Sequence, residues 1–132
     1  MSLFLLDADT AIYALRRVYG IREAIARRDP SEVAMSSLVY SQLLQGTLSA
    51  ASPADEAARI RLLVGGMVFK PYSRAAADAY GDVVSAIGCN RRNAMDRMIA
   101  AHAISLDATL VTNNTSDFAD IPDLRLANWA DV

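Results

Sequence analysis

The feature that most constrains this chain is a helical stretch that passes, with little chain to spare, into a short buried strand. From Met95 to Ala103 apolar and small residues recur at helical spacing, and Thr109-Leu110-Val111-Thr112 follows as a brief β-branched run broken by Asn113-Asn114. A continuous apolar strand joined closely to a helix is the signature of a central strand in a parallel sheet. Asn93 is placed to cap the helix, which puts Asp96 at the third helical position, facing the positive end of the helix dipole. Met95, Met98, Ile99, His102 and Leu106 make the apolar stripe, with Ala100 and Ala103 on Asp96's side so that a neighbour can pack close. The segment Thr115-Ser116-Asp117-Phe118 reads as a polar loop carrying a carboxylate just past a strand's carboxyl end, where open α/β sheets keep their sites.

The same alternation runs through the rest of the chain. Leu3-Phe4-Leu5-Leu6 is an apolar run that stops at Asp7, and a helical pattern opens after Asp9 and Thr10, through Ile12, Leu15 and Val18 to Gly20. A second helix covers Ile21 to Arg28 and stops at Asp29-Pro30. Val33 to Ser37 is the next strand, followed by a helix from Leu38 to Ala50 that carries Gln42. Pro53 opens another helix reaching Gly65-Gly66, Met67-Val68-Phe69 is a third strand, and Ser73 caps a helix from Arg74 to Gly88. No repeat or linker interrupts this order. It predicts one domain over residues 1–132, an α/β fold with helices on both faces of a mostly parallel sheet.

Composition narrows the function. The 132 residues suffice for one core, no apolar run approaches the eighteen or so residues of a membrane span, and the single Cys89 reads as a small near-core residue of a reducing cytoplasm. Net charge is −2, so bulk electrostatics does not draw nucleic acid to the chain. Twelve of the 13 basic residues are nevertheless arginine, whose fork matches phosphate oxygens. The pairs Arg16-Arg17 and Arg27-Arg28 read as solvated faces, and Trp129 as a plug near the carboxyl terminus.

Glycine-rich phosphate loops and zinc-type Cys/His sets are missing from the sequence, and His102 sits on an apolar stripe as a core histidine would. What remains is a set of hard oxygen donors, Asp7, Asp96 and Asp117, each near a strand end or a helix start. Brought together they repel unless a divalent cation lies between them, and such a site suits Mg²⁺ or Mn²⁺ and phosphoryl chemistry.

At these residues the sequence resembles a known family. Leu5-Leu6-Asp7 with Asp9, the segment from Ser36 to Gly46, Asp96 to Ala103, Leu110 to Asn114 with Asp117-Phe118, and Leu124 to Trp129 look like a PIN-domain toxin of the VapC type. The resemblance implies a three-layer α/β/α sandwich, a homodimer, a Mg²⁺-dependent endoribonuclease acting on structured RNA such as tRNA, and an antitoxin partner of the VapB type. It implies Asp7 and Asp96 as principal metal ligands with Asp117 in the fourth acidic position. Thr112, Asn113, Arg91, Arg92 and Arg97 are the candidate RNA contacts. Two positions depart from the pattern. Asp9 stands where the family usually has Asn, and Gln42 stands where it has Glu, which keeps shape but removes a charge that would hold a cation. Weakened cleavage is therefore expected, and a silenced domain that only binds antitoxin or RNA is the competing reading. A phosphate-accepting receiver domain needs a lysine at the end of its last strand, whereas the sole lysine is Lys70.

Overall fold

The computed structural model of the chain describes residues 2–131, so the outermost residues of the expected domain, Met1 and Val132, lie outside it. Five short strands form one parallel sheet: β1 (Phe4–Leu6), β2 (Val33–Ser36), β3 (Val68–Lys70), β4 (Thr109–Val111) and β5 (Arg125–Ala127), in the order β3-β2-β1-β4-β5. Phe4 of β1 pairs with Val33 of β2 on one side and Thr109 of β4 on the other, so the three central strands start level. Seven α-helices cross between or follow them: α1 (Ala8–Arg16), α2 (Ile21–Ala26), α3 (Ser37–Gly46), α4 (Pro53–Gly65), α5 (Arg74–Ile87), α6 (Ala94–Ser105) and α7 (Thr115–Phe118).

Side chains alternate along β1, so Leu5 enters one core with Met35, Leu110, Ile99 and Phe118, while Leu6 joins Val33 and Val111 on the opposite face, beneath Ile25 and Trp129. Packing on both faces is why the central strands read as unbroken apolar runs. Helix α6 goes deeper than an amphipathic stripe predicts. Ile99 to Ala103 are all buried, the alanines letting α6 lie close to its neighbours, whereas Met95 is exposed. Helix α1 ends at Arg16, short of Val18, because Arg17 turns left-handed at φ 59° and its N–H closes onto the Ala14 and Tyr13 carbonyls. Two elements lie outside the sequence expectation. β5 is a three-residue edge strand and α7 a single turn, both too short to show a period.

Candidate active site at the carboxyl edge of the sheet

The register delivers Asp7 to its place. Beyond β1 its N–H still donates to the Val111 carbonyl of β4 at 3.0 Å, and Thr10 Oγ1 donates to the same carbonyl at 3.1 Å. The Asp7 carboxylate caps α1 by accepting the Thr10 N–H at 2.8 Å, which fixes it as it is buried to 5% exposure. Burial pushes its pKa above the ordinary carboxylate value, and nearby Asp9 pushes the same way. Hydrogen bonds from the Thr112 side chain and from Thr10 offset part of this. The capping role of Asp7 and its place at the cluster therefore coexist in one side chain.

Helix α6 brings Asp96 to the same edge at its third position, with Asn93 at the N-cap as expected. Asn93 makes no side-chain cap, however, because its Oδ1 accepts the Asn90 N–H at 2.8 Å and closes the preceding turn. Asp96 is half-buried, and its pKa is raised by burial first and then by Asp117, Asp7 and Asp9, with Arg97 acting in the opposite direction. Four aspartates from three separated segments thus share one electrostatic neighbourhood. Asp117 is carried on exposed α7, which is anchored from below by buried Phe118. Asp9, exposed on α1, accepts a hydrogen bond from Asn114 Nδ2 at 2.7 Å and so ties α1 to the loop after β4.

Gln42 lines a cavity of about 430 Å³ between α1, α3 and α4, together with Ile12, Leu15, Arg16 and Ile60. Its Oε1 is buried and accepts no hydrogen bond. Ile12 lies one helical turn beyond Asp9 on α1, so the cavity adjoins the acidic cluster along that helix. Thr112 is buried and Asn113 half-buried at the end of β4, where Thr112 N–H donates to the Ala127 carbonyl and extends the β4–β5 pairing.

Arg91 and Arg92 are exposed in the turn before α6, but Arg97 is a correction. It is 6% exposed and its guanidinium reaches Asp120 Oδ2 at 3.3 Å, so it braces the segment after α7 and offers no fork to a phosphate at the surface. A buried Arg is rare enough that sequence alone favours the surface. Cys89 is likewise exposed, beside the Tyr80 hydroxyl at 3.2 Å, and does not pack in the core. His102 is the core residue expected of it. It is fully buried, with Nδ1 2.8 Å from Ser36 Oγ, and Nε2 makes no hydrogen bond.

With this geometry in place, the comparisons with known proteins are decisive on kinship. A model of the PIN domain matches residues 4–124. The chain belongs to the PIN domain family. Among relatives of this PIN domain are ribonuclease VapC2 of Rickettsia felis, 28% identical with 96% of this chain and 98% of the relative covered, and a tRNA(fMet)-specific endonuclease VapC of Shigella flexneri, 28% identical with 98% and 100% covered. The fold superposes on DNA-bound VapBC from Salmonella typhimurium with a TM-score of 0.87 at 27% identity, covering 98% of this chain and 100% of that one. VapBC2 from Rickettsia felis bound to a promoter DNA fragment gives 0.81 at 27%, covering 96% and 98%. The all-parallel five-stranded sheet between helices is therefore the PIN arrangement that the sequence motifs anticipated.

The donor set of this PIN domain is chemically suited to a hard divalent cation, being carboxylates of which Asp7 and Asp96 have their proton affinity raised by burial and by neighbouring acids. Among the described residues no three His, Cys, Asp or Glu side chains stand close enough to hold an ion by themselves.

Proposed function

We propose that this PIN domain is a Mg²⁺-dependent endoribonuclease, the toxin of a toxin–antitoxin pair, acting on structured RNA such as tRNA in the cytoplasm as a homodimer held in check by a VapB-type antitoxin. VapC ribonucleases that match over nearly their whole length support the class of activity, and VapBC complexes of the same fold support an antitoxin partner. One observation of this chain supports the chemistry: Asp7, Asp9 and Asp117, from other segments of the chain, all disfavour the charge of Asp96. Asp7 and Asp96 would hold the ion, with Asp117 adding negative charge beside Asp96. Bound there, Mg²⁺ supplies a lowered water pKa and charge neutralisation at phosphate. Hydrolysis would form a bond from a water oxygen to phosphorus as the ester P–O bond breaks, the water's proton leaving to solvent. Thr10 and Thr112 keep the Asp7 carboxylate oriented throughout.

Gln42 weakens this machinery in the same reading. Its Oε1 is buried without a partner, and a carboxylate in its place would add a charge that the neutral amide leaves out. Incubation of total RNA with the purified chain, its Gln42→Glu form and its Asp96→Asn form, in Mg²⁺ or Mn²⁺, tests the proposal. Cleavage that rises in the Gln42→Glu form and vanishes in the Asp96→Asn form is expected. If the Gln42→Glu form leaves RNA intact, the domain is a silenced module that binds without cutting.

A further inference from the structure

The pair Arg27-Arg28, which the sequence presents as a solvated face, is built differently at its two positions. Arg27 is exposed, but Arg28 is half-buried with its guanidinium carbon 4.2 Å from the centroid of the Phe4 ring and 4.5 Å from that of Trp129. The two rings are themselves 5.1 Å apart and tilted by 52°. Contact with ring faces orients a guanidinium without using its in-plane N–H groups. Among the described residues neither a hydrogen bond nor an ion pair takes up the Arg28 fork, and no acid lies within ion-pair reach of Arg27. The acidic neighbour Asp29 is occupied in capping the turn at Ser31. A positioned fork with free donors is a costly feature for a surface that only needs to stay soluble.

Its location gives it a use. Arg27, Arg28, Asn128, Trp129 and Ala24 line a cleft of about 460 Å³. From Asn128 a hydrogen bond from Nδ2 to Asn113 Oδ1, 3.2 Å, leads to the end of β4, where the next residue, Asn114, holds Asp9 of the acidic cluster. The cluster itself repels phosphate, so a strand presented to it needs cationic support on its flank. We infer that Arg27, Arg28, Asn128 and Trp129 form a subsite for the RNA strand beside the carboxylates, with the arginines on a phosphate flanking the scissile one and the indole edge and the Asn128 amide against its nucleotide. This rests on the ribonuclease reading above and names where that substrate lies. Arg91 and Arg92 remain the candidates on the other side of Asp96.

Trp129 is the chain's only tryptophan, so its emission reports on this cleft alone. The full chain in EDTA is titrated with a labelled single-stranded RNA oligonucleotide, and anisotropy is followed together with tryptophan emission at several salt concentrations. Expected are a saturable change in Trp129 emission with the same midpoint as the anisotropy, a roughly tenfold or greater loss of affinity for Arg28→Gln, and a salt slope lower by about one for Arg27→Gln and for Arg28→Gln relative to an Arg61→Gln control. Arg27 is exposed, so its variant reports even where a change at Arg28 disturbs the packing of Phe4 and Trp129. If the chain binds and, with metal, cuts RNA while Trp129 emission stays fixed and both arginine variants keep full affinity, the subsite is wrong and the nuclease stands. A chain that neither binds nor cuts RNA overturns both.

Discussion

Two polar groups sit at the carboxyl edge of the same sheet and have opposite characters. At the end of β2, Ser36 and His102 are fully buried, neutral and joined by a 2.8 Å contact, and Ser36 also accepts the Leu38 N–H at 3.1 Å to cap α3. At the end of β1, Asp7 is almost as deeply buried, but burial and the neighbouring Asp9 disfavour its charge, and Asp7, Asp9 and Asp117 in turn disfavour the charge of Asp96. The first arrangement lowers the energy of the folded chain, and the second raises it. A fold retains like charges at close range when something else is gained by them, which is why strand ends of equal burial divide into scaffold and site.

The comparison can be broken most decisively at Asp96. Replacing it by Asn should cut RNA cleavage by at least about a hundredfold while raising the melting temperature in EDTA at neutral pH, because a repelled, partly desolvated charge is removed. Loss of both activity and stability would mean that Asp96 supports the fold in the way Ser36 does. Next in size is Gln42→Glu, which adds a fourth family-type carboxylate beside the cluster. Calorimetry with Mn²⁺ should show affinity rising about tenfold or more, the worth of about 1.4 kcal/mol, and an unchanged isotherm would detach the Gln42 cavity from the acidic site.

On the scaffold side, Ser36→Ala removes a helix cap and leaves buried His102 Nδ1 without its partner, so denaturant unfolding should show a loss of about 1–3 kcal/mol. Cleavage per folded molecule should stay within about twofold of the parent, and a larger drop would place Ser36 in the chemistry. The finest distinction is in pH. Asp96 has a raised pKa in the fold, so the folded chain binds protons more readily than the unfolded one, and its share of stability grows as pH falls through the raised value. His102 has a lowered pKa through burial first and Lys70 second, so its share is complete above the ordinary histidine value near ~6.5 and is lost as pH falls below it. Melting curves in EDTA from the ordinary carboxylate value of 3.8 up to about pH 7.5 should therefore lose part of their decline toward acid in His102→Gln, whereas Asp96→Asn should steepen it. Parallel curves for both variants would deny the two ends of α6 their opposite electrostatics.

How much of this was legible depended on the range of the physics involved. The strands β1, β2 and β4 announced themselves because burial on both faces demands unbroken apolar runs, and Ser73 and Gly88 bounded α5 because capping and a left-handed turn are local matters. Asp7, Asp96 and Asp117 were identifiable from their places after strands and at a helix start. β5 and α7 were hidden by their brevity, and Arg97 by the rarity of burying a guanidinium.

The sequence by itself determined the alternation of strand and helix, the parallel sheet that follows from it, and the carboxylates at the strand ends, since each depends on a pattern within a few turns of chain. Only the tertiary structure decided which side chains meet. It brought Asp7, Asp9 and Asp117 to bear on Asp96 across three segments and set Gln42 in a cavity with Ile12 of α1. It also turned Arg97 inward to Asp120, and held Arg28 between Phe4 and Trp129, residues from the two ends of the chain. Such contacts join positions far apart in sequence, and their existence depends on register and packing that no local pattern encodes.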